Sequence, residues 1–381
     1  MRIFGEKFST RIKRVDPILL FATAYLSLLS IVTIIGAVDN FGKSKLIMQV
    51  AMTVVGTLSV FILANFDYKF TVDRFWLYML IGSALLLGIT LIFGSTGENM
   101  ETENRSWLRI PIIDIAIQPS EFVKFAFICS FSYHLSSVKE SINKPKTLIW
   151  VALHAGLIVG LILLSGDLGV ALVYIGIIAV MLYCSGLSIW YFIVAVVLLI
   201  IAFPFMWDLL KPYQQNRIIF GFAPELDPGG VGKQPLFSRE TIAAGGWFGI
   251  GWLTPGYYEE LAASHTDFIF ATVCEKFGFI GGASVVIALA VITVRLLIIS
   301  LKCRDNTGKL VCAGLAAIII VQSIENLWMC LALIPVVGIT LPFMSCGGSS
   351  VLAMYLLMGL AHSVQAREKS FYFGSKYPSS L

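Results

Sequence analysis

Ten stretches of about twenty predominantly apolar residues dominate this chain, each close to the helix length needed to cross a hydrocarbon layer of ~30 Å. They fall near 17–38, 46–65, 74–94, 119–136, 147–165, 168–184, 188–207, 279–300, 310–333 and 346–365. In lipid the backbone finds no water to bond, so each stretch must satisfy its own N–H and C=O groups by coiling into a helix. With 57% hydrophobic and 13% charged residues, the chain has too few charges to clothe a water-soluble globule. The expected fold is therefore an all-α, polytopic integral membrane protein with about ten transmembrane helices, forming a single membrane domain over 1–381. The first stretch, Pro17 to Val38, exceeds the apolar core of a signal peptide and is expected to remain as the first helix.

Charge reports orientation. If the N-terminus is cytoplasmic, most of the 27 Lys and Arg residues fall in inner segments, among them Arg2, Lys7, Arg11, Lys13 and Arg14 at the start and Lys302, Arg304 and Lys309 after the eighth stretch. Segments 1–16 and 366–381 are then cytoplasmic, and the two long connections, 95–118 and 208–278, are extracytoplasmic. A net charge of +4 spread over short loops gives nucleic-acid binding little support. The seven cysteines are dispersed and form no CxxC pair, which predicts neither disulfides nor structural zinc. Connections usually run to a few residues. The second long one is rich in glycine and aromatic residues, Gly245-Gly246-Trp247-Phe248-Gly249 with Gly251-Trp252, and is expected to fold against the membrane surface with a re-entrant piece.

Candidate chemistry gathers at the outer ends of the stretches. Gln118-Pro119-Ser120-Glu121-Phe122-Val123-Lys124 sets an acid and a base three residues apart, on one helical face. Inside a membrane such a pair either holds the helix or lines a wet site. His265-Thr266-Asp267-Phe268 puts a carboxylate where the long loop re-enters apolar sequence. Desolvation there raises a carboxyl pKa and makes a better base near neutral pH, although Asp267 also reads as the N-cap of a helix starting at Phe268. Asp167, in the turn Ser165-Gly166-Asp167, reads as a helix cap. Tyr213, Gln214 and Arg217 either bind phosphate or sit at the headgroup interface. His134, His154 and His362 read as packing residues. Gly229-Gly230-Val231-Gly232-Lys233 lacks the first glycine and the closing Ser or Thr of a phosphate loop, and Gly278 to Gly282 fits a GxxxG helix-packing motif.

Taken in order, these motifs resemble those of the shape, elongation, division and sporulation (SEDS) family, the polytopic peptidoglycan glycosyltransferases that include RodA, FtsW and SpoVE. The matching pieces are Arg105-Ser106-Trp107, Gln118-Pro119-Ser120-Glu121 with Lys124, Gly166-Asp167-Leu168-Gly169, Tyr213-Gln214 with Arg217, Ile242-Ala243 before Gly245-Gly246, His265-Thr266-Asp267-Phe268-Ile269-Phe270, and Leu341-Pro342-Phe343-Met344-Ser345 with Gly347-Gly348-Ser349-Ser350. The chain departs from the usual pattern at Glu275-Lys276, where the family often shows two glutamates, and at Cys346, where tyrosine is usual.

The resemblance implies a ten-helix SEDS fold in the bacterial cytoplasmic membrane and the polymerisation of lipid II on its outer face, for elongation, division or sporulation. It implies Asp267 as the general base of an inverting transfer that releases undecaprenyl diphosphate. It further implies Arg105, Trp107, Glu121, Lys124, Asp167, Tyr213, Gln214, Arg217, His265 and Ser349 as substrate-binding residues. The implied partners are lipid II, the undecaprenyl-diphosphate-linked glycan, membrane lipid and a class B penicillin-binding transpeptidase. No cofactor is implied beyond a divalent cation, Mg or Mn, at the diphosphate. Two other classes compete: a lipid II flippase or transporter, suggested by ionisable residues within many helices, and a non-catalytic scaffold for the transpeptidase, against which Asp267 argues.

Overall fold

A computed structural model describes residues 15–95, 105–110, 115–210 and 212–374. The helices, in chain order, are α1 (Pro17–Ile35), α2 (Lys43–Ala64), α3 (Tyr68–Phe93), α4 (Pro119–Ser137), α5 (Pro145–Leu164), α6 (Leu168–Ser185), α7 (Ile189–Leu209), α8 (Pro212–Phe222), α9 (Lys233–Ala244), α10 (Ile269–Lys302), α11 (Asn306–Cys330) and α12 (Gly348–Gly374). A short antiparallel hairpin, β1 (Leu108–Ile110) with β2 (Ile115–Ile117), precedes α4. All ten expected stretches are helical, as α1 to α7 and α10 to α12. Among the described residues, eight helices are long and apolar enough to cross a membrane, and the apolar part of α7, Ile189–Phe205, is shorter. The remaining one, α4, carries Glu121 and Lys124 among its apolar residues.

Local sequence sets the helix starts. Asp16, Asp67, Asp167 and Asp305 each accept a backbone N–H from the first turn of α1, α3, α6 and α11, at 2.9, 3.0, 3.1 and 3.1 Å respectively. Pro17, Pro119 and Pro145 occupy first helical positions, where a missing N–H costs nothing. The two most buried spans, α11 and α12, form the centre. Along α12 runs α2, close enough that a side-chain carbon on Gly56 would lie 2.6 Å from the Tyr355 ring. Helix α4 is antiparallel to α11: near the end of α4, Lys139 Nζ donates to Asn306 Oδ1 at 3.0 Å, while Lys124 meets Gln322 farther along.

The two ends of the bundle differ in kind. At one end, ion pairs Asp16–Arg295, Asp67–Arg367 and Lys69–Asp305 cross-link α1, α3, α10, α11 and α12. At the other lies the long connection after α7, folded as expected into helices α8 and α9 and a turn at Tyr257–Glu259. Helix α10 begins ten residues earlier than its apolar run and breaks at Gly278, where φ is +68° and ψ −167°. Only glycine adopts that backbone readily. Gly278 therefore does not serve as half of a helix-packing motif. It turns the chain so that Glu275 and Lys276 bind the loop. The Glu275 carboxylate accepts the backbone N–H groups of Tyr257 and Tyr258 at 2.7 and 2.9 Å, and Lys276 Nζ donates to the carbonyls of Gly36 and Trp252 at 2.9 and 3.0 Å.

One helix stands apart. None of the described side chains of α7 is buried. It is tied near its ends, by Tyr191 Oη donating to the Asn143 carbonyl at 2.9 Å and by Gln215 Nε2 donating to the Trp207 carbonyl at 2.8 Å.

Candidate active site

The first turn of α4 supplies a buried ion pair. Lys124 Nζ lies 2.6 Å from Glu121 Oε1, with the two side chains 0% and 3% exposed. The ammonium also donates to Gln322 Oε1 of α11 at 3.3 Å. Gln322 Nε2 in turn donates to the carbonyl and hydroxyl of Thr340, both at 3.2 Å, and the Thr340 and Ser350 hydroxyls are 2.8 Å apart. One polar chain thus links α4, α11, the segment 331–347 and α12. Charges removed from water persist only when such partners satisfy them.

Asp167 joins this chain from α6. Its Oδ1 caps the helix, while Oδ2 accepts Gln118 Nε2 at 3.2 Å. The Gln118 backbone N–H reaches Ser349 Oγ at 3.4 Å. Burial pushes the Asp167 carboxyl above its usual range, and the negative charge of Glu121 adds to the rise. Beside it is a small cavity whose polar lining includes Thr90, Ser106, Ser120 and Ser165. The Arg105 backbone N–H donates to the Ser165 carbonyl at 3.1 Å, which sets its exposed side chain at the rim near Asp167. Trp107, half-buried, bridges to Ser95 through the backbone.

Asp267 is held by its backbone. The N–H groups of Thr266 and Phe268 both donate to the Ala263 carbonyl, at 3.0 and 3.1 Å, in a tight turn where Ala263 has a φ of +53°. Three successive carbonyls are then gripped from α11 and the segment that follows it. His265 O accepts the Cys346 N–H at 2.8 Å, Thr266 O accepts Ser345 Oγ–H at 2.7 Å, and Asp267 O accepts Asn326 Nδ2 at 2.7 Å. The same Asn326 amide donates to the Ile339 carbonyl at 2.7 Å. Phe268, not Asp267, is the N-cap of α10, and no side chain caps that helix. The Asp267 carboxylate is thereby left for other work. It touches surface, yet is enclosed enough that burial pushes its carboxyl up to about 6, with the charge of Asp167 adding and the Thr266 hydroxyl opposing.

The expected residues thus separate into groups. Glu121, Lys124, Asp167, Ser349 and Asp267 converge on one site. Arg105 reaches its rim from one side, and from another Arg217, on α8, donates to the Val336 carbonyl at 3.2 Å. The His265 ring packs on Phe41 instead, 5.2 Å between centroids. Tyr213 and Gln214 lie within α8, but their side chains fall outside the described residues. Gln322, Glu325, Asn326 and Thr340 were missed by sequence reasoning. Their signal is present, since 322, 325 and 326 recur at helical spacing on one stripe of an otherwise apolar span. Chemically, the site offers a carboxylate poised as a base, a buried ammonium behind it and two exposed guanidiniums at its edge.

Residues 14–370 match the sequence profile of the family described as cell cycle protein, that of FtsW, RodA and SpoVE. The chain belongs to the FtsW/RodA/SpoVE family. Within that family it is 31% identical to stage V sporulation protein E of Bacillus subtilis, over 86% of this chain and 87% of the relative. It is 28% identical to a probable peptidoglycan glycosyltransferase FtsW of Trichlorobacter lovleyi, over 93% of this chain and 94% of that one. Among solved structures, it resembles a chain from a peptidoglycan synthase complex that coordinates polymerization and crosslinking, with a TM-score of 0.81, 27% identity and coverage of 93% and 98%. The fold is also that of the rod shape determining protein RodA of Thermus thermophilus, with a TM-score of 0.68, 24% identity and coverage of 92% and 96%. Among the described residues, the FtsW/RodA/SpoVE fold therefore accounts for the helix order from α1 to α12 and makes this a multi-pass membrane protein.

Proposed function

We propose that this protein is a peptidoglycan glycosyltransferase that polymerises lipid II at the outer face of the bacterial cytoplasmic membrane, with Asp267 as general base. The observation that carries this reading is the Asp267 carboxyl, raised to about 6 and set beside cationic groups on a backbone held from three sides. A base titrating just below the working pH is mostly ionised, yet basic enough to take a proton. The 4-hydroxyl of the acceptor N-acetylglucosamine attacks C1 of the donor N-acetylmuramic acid. Asp267 takes the hydroxyl proton, the new C1–O bond forms, and the C1–O bond to the diphosphate breaks with inversion.

Undecaprenyl diphosphate leaves as an anion, so it needs positive charge more than a strong acid. Arg105 and Arg217, exposed on opposite sides of the rim, suit that task, joined by a divalent cation, Mg or Mn, carried on the diphosphate. Lys124 acts from behind, holding Glu121. Helix α7, clear of the bundle, leaves a side open to the membrane along which a polyprenyl tail can lie. The Lys and Arg distribution supports cytoplasmic termini and an outward-facing site. The likeness to a chain of a peptidoglycan synthase complex supports a partner transpeptidase of the penicillin-binding class.

The test is direct. Purified protein given labelled lipid II yields a ladder of glycan on a gel, and Asp267→Asn binds lipid II but yields none. Undiminished polymer from the variant would overturn the assignment of the base.

A further inference from the structure

Glu325 sits on α11 within an apolar span, one turn from Gln322 and next to Asn326. Its Oε2 is buried and accepts no hydrogen bond. The one positive charge acting on it is Lys124, which already serves Glu121 and Gln322. Glu121, 97% buried by its 3% exposure, ends the same way, with Oε2 buried and unpartnered. Two carboxylates therefore share one ammonium, and each keeps an acceptor that nothing in the protein satisfies.

Their placement is specific. Because α4 and α11 are antiparallel, Glu121 lies one turn from Lys124 and Glu325 one turn from Gln322 in the same direction, toward the end that holds Asp267. The pair stands on facing helices, between the Lys124–Gln322 contact below and Asn326 with Asp267 above. We propose that Glu325 and Glu121 form a receptor for a neutral polyhydroxyl ligand, accepting hydrogen bonds from the hydroxyl and acetamido N–H groups of the lipid-linked sugar. This rests on the glycosyltransferase reading and adds which part of the donor is recognised here. A diphosphate would be repelled by two carboxylates. A metal ion finds no group of three or more His, Cys, Asp or Glu placed to hold it among the described residues. A ligand rich in O–H and N–H donors meets both orphaned acceptors.

The experiment compares two lipids, lipid II and sugar-free undecaprenyl diphosphate, binding to wild-type protein, Glu325→Leu and Glu325→Gln in nanodiscs. Glu325→Leu should weaken lipid II binding about tenfold or more, the loss expected of a hydrogen bond to a charged acceptor. Its affinity for undecaprenyl diphosphate should stay within about twofold, and Glu325→Gln, which keeps one acceptor oxygen, should fall between. The leucine variant should melt no lower than wild type, since an apolar side chain replaces a carboxylate that lacks its own counter-ion. Equal lipid II binding by wild type and Glu325→Leu would overturn the proposal and make Glu325 a protonated bystander. So would an equal loss for both lipids, or a wild type that binds them alike. Wild-type protein that discriminates between the lipids through Glu325 but makes no glycan would refute the polymerase reading while leaving this site standing.

Discussion

Replacing Asn326 with leucine separates the role of the site's backbone from that of its side chains. One amide nitrogen, buried at 0% exposure, donates to the Asp267 and Ile339 carbonyls, each at 2.7 Å. Leucine is of similar size and removes both bonds. A buried carbonyl left without a donor costs about 1–3 kcal/mol, so the pair should cost about 2–6 kcal/mol of stability. The turn at 263–268 stays anchored at His265 and Thr266, so Asp267 is displaced instead of released. A shift of ~1 Å at a catalytic group lowers the rate about 100-fold, or ~2.7 kcal/mol at 1.36 kcal/mol per tenfold. Melting in detergent reads the first quantity, and single-turnover polymerisation at saturating lipid II reads the second. The expected signature is a rate loss of about two orders of magnitude with lipid II binding unchanged and the acid limb of the pH profile still near 6, because burial and Asp167 set that carboxyl. A variant that melts with wild type and keeps its rate within about twofold would refute this account of how Asp267 is held.

Three further outcomes follow from the same geometry. The rate should rise with pH through about 6 as Asp267 loses its proton. The folded-state carboxyl lies above its model value of 3.8, so its contribution to stability is fully present below about pH 4 and lost as pH rises through about 6. Asp267→Asn should then outlast wild type at pH 8, by up to about 3 kcal/mol, and converge with it near pH 4; parallel melting curves at both pH values would contradict this. Lys124→Met leaves Glu121 buried without its partner and should cost about 3–5 kcal/mol, most of it recovered in Glu121→Leu/Lys124→Met, a double-mutant cycle that additive losses would contradict. Gly278→Ala forces a side chain into a backbone region that excludes it and against the Trp247–Gly249 backbone, so it should lower the melting temperature, whereas Gly282→Ala, inside regular helix, should lower it less.

The spans were legible because lipid enforces a single solution on any run of about twenty apolar residues. The ion pair of Glu121 and Lys124, the cap at Asp167 and the exceptional position of Asp267 were legible for a related reason: charge is rare enough there to stand out. Asn326 and Gln322 were not. Neither is charged, each interrupts α11 only briefly, and their roles depend on carbonyls that lie 13 to 59 residues away in sequence. The break at Gly278 was hidden because a GxxxG spacing reads alike for a helix contact and for a glycine with positive φ. The contribution of 331–347 was likewise hidden, since it acts through backbone groups such as Val336 O and Ile339 O that carry no mark in the side-chain sequence.

The buried pair on α4 also bears on how such a chain is made. Glu121 and Lys124 are three residues apart, whereas Gln322 follows Lys124 by 198. A segment emerging from the ribosome reaches the membrane long before α11 exists, and an isolated charge at that moment would oppose its entry. Helix α4 brings its own counter-charge and can cross as a locally neutral unit. Asp267 has no such local support: its turn is fastened by Asn326 and Ser345, and it acquires its final geometry only once the last two helices have been synthesised and have closed over it.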